Sequence, residues 1–101
     1  MNENKWLSLL GLAARARKIV SGEELVIKEI RKRQVQLVIV STDASEGTTK
    51  KVNDKCNFYN TPIRVTGTRD VLGQAIGKRE RVVLGVIDQG FANKLISLID
   101  Q

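Results

Sequence analysis

Residues Lys18–Val40 read KIVSGEELVIKEIRKRQVQLVIV, and this stretch decides the fold. Lys18 to Val20 has the character of a short strand. Ser21 and Gly22 turn the chain, and a helix follows to about Arg33. In that helix Val26, Ile27 and Ile30 recur at helical spacing and belong inside. Lys28, Arg31 and Lys32 share the opposite side, at i, i+3 and i+4. Leu37-Val38-Ile39-Val40 is a continuous apolar run, the pattern of a central strand buried on both faces. Strand, helix and strand in so short a span argue for an α/β architecture.

The corner at Ser21-Gly22 carries more than a change of direction. Ser21 with Glu24 three residues on has the form of a capping box. Glu24 and Lys28 are spaced for a favourable i, i+4 pair. A glycine turn opening a helix gathers backbone N–H groups and the positive dipole end at one spot, which suits a phosphate or another polar partner. The basic stripe extends that surface along the helix.

Working outward, the alternation continues. Trp6, Leu9, Leu10 and Ala13 predict an amphipathic helix from about residue 4 to 16. Gly11 costs about 1 kcal/mol there against alanine, and suits a close helix-to-sheet approach. Arg15, Arg17 and Lys18 complement the negative end of that helix. Ser41 to Ser45 is a polar loop. A helix over Glu46–Tyr59 puts Val52, Cys56 and Tyr59 inward and Lys50, Lys51 and Lys55 outward. Asn60-Thr61-Pro62 stops it. Ile63–Val65 is a short strand, Thr68 an N-cap, and Val71, Leu72, Ala75 and Ile76 mark a short helix ended by Gly77 in the left-handed conformation. Lys78-Arg79-Glu80-Arg81 is a charged loop, Val82–Ile87 a second strongly apolar strand, and Phe91, Leu95, Leu98 and Ile99 a last helix. Five helices and four strands in alternation predict a three-layer α/β/α sandwich on a central mixed sheet, in one domain spanning residues 1–101.

Composition narrows the function. The 101 residues carry a net charge of +6, which favours polyanions, nucleic acid first. Aromatic residues are only 4%, so an interleaved base-stacking sheet is disfavoured and the core is aliphatic. There is no histidine and a single cysteine, Cys56. These remove the commonest general base, His-containing triads, an internal disulfide and Cys-rich zinc sites. No P-loop and no Gly-x-Ser-x-Gly elbow occurs. Gly73-Gln74-Ala75-Ile76-Gly77 lies in and after a helix and is no dinucleotide fingerprint. Asp43 and Asp88 follow strands, where α/β enzymes place catalytic groups, but no second acid clusters with either. The expectation is no enzyme, no cofactor, no metal and no membrane segment, in a cytoplasmic monomer.

Two places can read RNA where bases leave the stack. One is the Ser21-Gly22 helix start with Lys28. The other is the Gly77–Arg81 loop with Arg69 nearby. Both lie within a wider pattern. Lys18-Ile19-Val20-Ser21-Gly22 with Lys28, Leu37-Val38-Ile39-Val40-Ser41-Thr42-Asp43, Leu72-Gly73-Gln74-Ala75-Ile76-Gly77 and Val82–Ile87 resemble the kink-turn-binding ribosomal protein family of archaeal L-seven-Ae and eukaryotic L-thirty-e type. Gly11-Leu12-Ala13, Ala16-Arg17-Lys18, Lys51-Val52, Asp54-Lys55-Cys56-Asn57 and Gln89-Gly90-Phe91-Ala92-Asn93-Lys94-Leu95 are most similar to its bacterial YlxQ branch. The resemblance spans nearly the whole chain.

The resemblance implies a sandwich that binds a kink-turn, a sharply bent duplex with a bulge and tandem sheared G·A pairs. The start of the second helix would dock on those guanines, and the loop after the fourth helix would cover a flipped-out nucleotide. Carried over by position, the first site is Gly22, Glu24, Leu25 and Lys28, with Ser21, Arg31 and Lys32 beside it. The second is Ile76, Gly77, Lys78, Arg79, Glu80 and Arg81, with Arg69. Glu24 and Leu25 stand where the archaeal pattern has Asn and Glu. The implied partner is structured RNA, in ribosomal or other ribonucleoprotein particles. The alternative is a protein-interaction module on a ribosome-associated factor, with Leu25 as its apolar contact.

Overall fold

The computed structural model describes residues 5–101. Position 4, where the first helix is expected to begin, lies outside the described residues. Chain order is α1 Lys5–Arg15, β1 Ile19–Ser21, α2 Glu23–Arg31, β2 Leu37–Val40, α3 Glu46–Tyr59, β3 Ile63–Val65, α4 Arg69–Ala75, β4 Val83–Val86 and α5 Gln89–Ile99. The expected three-layer sandwich forms. The sheet order is β1-β4-β2-β3, with β2 and β3 parallel and β4 antiparallel to both β1 and β2.

Alternation along β2 builds the two cores, because successive side chains of a strand point to opposite faces. Leu37 and Ile39 join Trp6, Leu10, Leu72, Leu84 and Leu95, under α1, α4 and α5. Val38 and Val40 join Val26, Ile30, Val52, Cys56 and Val83, under α2 and α3. Every residue of β2 and β4 is buried, so both strands read as unbroken apolar runs. Gly85 faces α2; a Cβ there would come within 3.0 Å of Val20 and 3.4 Å of Val26. Its absence lets the α2 layer settle close to the sheet.

Gly11 serves a different approach from the one expected. A Cβ on it would lie 2.9 Å from the Ala75 carbonyl oxygen, so it admits α4 beside α1, helix against helix. Caps stop most elements where the sequence marks them. Ser45, Thr68 and Asp88 accept from Thr48, Val71 and Phe91 backbone N–H groups. Gly77 is left-handed at φ 73°; its N–H reaches Gln74 O, and the Lys78 N–H reaches Gly73 O, a Schellman closure. Asp88 is thus a helix cap. Asp43 is a tether for Arg69, accepting from the Arg69 backbone N–H at 3.1 Å.

Three elements differ from expectation: α2 ends at Arg31, two residues before Arg33. β1 is displaced by one residue, so Ser21 is its last residue and Lys18 lies outside it. β4 is shorter by one residue at each end than Val82–Ile87. No helix among the described residues is long and apolar enough to cross a membrane.

Candidate nucleic-acid interface

The Ser21-Glu24 capping box does not form. Gly22 is the N-cap of α2, at φ 99° and ψ 141°, with no side-chain cap. That conformation is open to glycine and closed to most other residues. The Ser21 hydroxyl is committed elsewhere: it accepts from Arg81 Nε at 3.2 Å. Helix hydrogen bonding starts with Val26 N–H on Gly22 O. The Glu23, Glu24 and Leu25 N–H groups precede that first bond, and no side chain caps them. A helix start in this condition presents donors and a positive dipole end together.

The link from Arg81 to Ser21 also joins the two sequence-predicted regions. Arg81 Nη1 donates to Glu80 O at 2.8 Å and lies 3.4 Å from Arg79 O, so one guanidinium organises its own loop and pins it to β1. Gly22, Arg69, Glu80 and Arg81 line one open cleft of about 570 Å³, with Glu23, the α3 cap Ser45 and Thr48 of α3 on a further wall. Arg69 is oriented from behind: its Nη2 donates to Asp43 O at 2.6 Å and its Nε sits 3.4 Å from Asp43 Oδ2. The loop also rests on α4. A Cβ on Gly73 would collide with the Arg79 carbonyl.

Glu23, not Glu24, is the structural acid of this corner. Its carboxylate accepts from Thr48 Oγ1 at 2.9 Å and meets Lys51 Nζ at 3.1 Å. Lys51 first, then the Thr48 hydroxyl, hold the Glu23 carboxyl below its ordinary range, against a smaller upward push from burial. These bonds tie the start of α2 to the start of α3. Nothing local in the sequence marks Thr48, which lies 25 residues from its partner.

Other predicted site residues separate. Glu24, Leu25 and Lys28 are exposed on one face of α2, although Glu24 and Lys28 make no ion pair among the described residues. Lys78 and Arg79 are exposed at the loop. Ile76 is half-buried against the α1, α4 and α5 core and does not line the cleft; it lines a separate open surface with Gly77 and Lys78. Arg31 and Lys32 are exposed at the far end of α2. At about 1.5 Å per residue they lie roughly 13 Å from Gly22, and Lys32 is 3.6 Å from Glu29. Of the predicted site residues the cleft therefore brings together Ser21, Gly22, Arg69 and Arg81; Lys78 and Arg79 line a separate open surface with Asp70, Gln74 and Glu80, and Lys28, Ile76, Arg31 and Lys32 are not among the cleft's lining. No group of three or more Asp, Glu or Cys among the described residues is placed to hold a metal ion.

Known proteins resemble this chain in sequence and in fold. The RNA-binding protein YlxQ of Bacillus subtilis is 60% identical over 100 residues, covering 99% of this chain and 100% of that one. The RNA-binding protein YlxQ of Enterococcus faecium is 44% identical, covering 98% and 95%. A solved protein of unknown function from Bacillus halodurans superimposes with a TM-score of 0.95 at 59% identity, over 96% of this chain and 98% of that one. The Giardia lamblia 15.5kD RNA binding protein shares the fold, with a TM-score of 0.81 at 20% identity over 96% and 89%. The sequence profile of the ribosomal protein L7Ae/L30e/S12e/Gadd45 family matches residues 4–96. This chain belongs to the ribosomal protein L7Ae/L30e/S12e/Gadd45 family, alongside the bacterial YlxQ proteins.

Proposed function

We propose that the protein is a cytoplasmic, non-enzymatic RNA-binding protein that recognises a kink-turn-like bend in ribosome-associated RNA. The carrying observation is the joining of the uncapped α2 start to the Lys78–Arg81 loop through the Arg81–Ser21 bond. One cleft then offers backbone donors and the Arg69 and Arg81 cations, with the Glu23 and Glu80 carboxylates also on its wall. A regular A-form duplex hides its base edges in a narrow major groove, whereas a bulge splays bases out and opens the groove. A helix start can enter at such a bend. The unfilled N–H groups and Lys28 meet the RNA at the bend, Glu24 accepts from guanine amino or imino groups, and Lys78 and Arg79 flank an extruded nucleotide. The names of the YlxQ relatives support RNA as the ligand.

Leu25, 44% exposed beside this corner, favours a second reading, in which the same surface docks a ribosome-associated protein. Amide chemical-shift mapping with a kink-turn RNA separates the two. The first reading expects the largest shifts at residues 22–28 and 77–81. Shifts confined to other faces would reject it. Binding of a protein that survives nuclease treatment and is lost on Leu25→Ser would favour the second.

A further inference from the structure

We infer that the end of the molecule remote from Gly22 carries a second RNA contact, a stacking platform for an unpaired base centred on Phe58. The inference rests on the RNA-binding reading above but uses none of the residues of its cleft. α2 and α3 lie side by side with the same polarity: Glu23 bonds Thr48 at their starts, and Arg33 reaches Tyr59 at their ends. From Thr48 to Phe58 the α3 axis advances roughly 15 Å.

At that end Phe58 is 77% exposed, the most exposed large apolar side chain described. An isolated exposed apolar residue needs no explanation, but this one is organised. Its ring meets Tyr59 edge-on, with centroids 4.9 Å apart and planes at 74°. The Arg33 guanidinium carbon sits 5.3 Å from the Tyr59 centroid, inside cation–π range. Arg33 holds this place at φ 59°, a left-handed conformation that glycine usually fills.

The surrounding charge selects the occupant. Arg31 and Arg33 are exposed, and Lys55 lies one helical turn before Phe58. None of the three is ion-paired among the described residues. The nearby acids are engaged, Asp54 by Lys50 at 3.1 Å and Glu29 by Lys32 at 3.6 Å. An open aromatic face beside unpaired cations matches a base with its phosphates, since every base presents a π-face and arginine adds to the stack. A strand stacked at about 3.4 Å per nucleotide would cover the interval from the Gly22 corner in roughly four to five nucleotides.

The test uses two RNAs, a kink-turn alone and the same kink-turn with about eight unpaired nucleotides appended, within single-strand site sizes. Wild-type, Phe58→Ala, Phe58→Trp and Lys28→Ala proteins are titrated against both. The platform predicts that Phe58→Ala binds the extended RNA about tenfold more weakly, leaves the short one unchanged, and is rescued by Phe58→Trp. Equal affinity of wild-type and Phe58→Ala for the extended RNA overturns the platform. If Lys28→Ala still weakens binding to both RNAs, the cleft reading stands without it. A nuclease-resistant protein association lost in Phe58→Ala, with both RNA titrations unchanged, assigns the surface to a protein and also overturns the proposal.

Discussion

Ser21 could have capped α2, yet its hydroxyl accepts from Arg81. With Gly22 as the N-cap the helix start has no side-chain cap, and the Arg81 bond fastens a basic loop beside it. Ser21→Ala should preserve the fold and let the loop move; a drop in RNA affinity with little change in melting temperature would bear this out. Lys28 acts more simply. Lys28→Ala should weaken RNA binding about tenfold and reduce the salt slope by roughly 1, the signature of a lost phosphate contact. Glu23 works through stability. Its carboxyl titrates below its ordinary value because Lys51, then Thr48, favour the charged form. The contribution is therefore complete above the unfolded carboxylate pKa and is lost as pH falls through the lower folded one. Glu23→Gln should cost about 0.5 kcal/mol near neutrality, as a partly exposed, screened pair. Denaturant melts of both proteins should converge once the pH has fallen below the lowered folded value of Glu23.

At the scale of elements, glycines decide where the corner and the loop stand. Gly22→Ala meets no neighbouring atom but must hold φ 99°, a strain of about 1–3 kcal/mol. Gly73→Ala forces the Arg79 carbonyl away, so it should destabilise by about 1–3 kcal/mol, as overpacking does, and also weaken RNA binding. Thermal melts and titrations of the two variants check both effects. Elements with strong apolar periodicity were legible in the sequence. The run Leu37–Val40 announces a doubly buried strand, and Thr68 and Gly77 mark the ends of α4 in the expected way. Ser21 misleads because a serine before a helix can either cap it or end a strand; here it ends β1, in register with Leu84, and Gly22 takes the N-cap. The strand order was not legible, since a run buried on both faces does not name its neighbours.

For the whole molecule, one sheet holds two cores apart and sets both ends of α2 and α3 at the surface. The glycine corner that opens α2 was legible, because a glycine turn before a helix is a local signal. The tie from Glu23 to Thr48 was not, because only the packing of α2 beside α3 brings it about. Burial pushes the Cys56 thiol up to about 11, so the folded protein should react slowly with thiol reagents near neutral pH and quickly in denaturant.

The central claim is that an unfilled helix start joined to a cationic loop selects bent RNA over regular duplex. The most direct measurement is equilibrium titration, at moderate salt, of the wild-type protein against a kink-turn and an uninterrupted duplex of equal length. At least about tenfold tighter binding to the kink-turn is predicted, as expected when base edges and not only phosphates are read. Equal affinity for the two RNAs would contradict it.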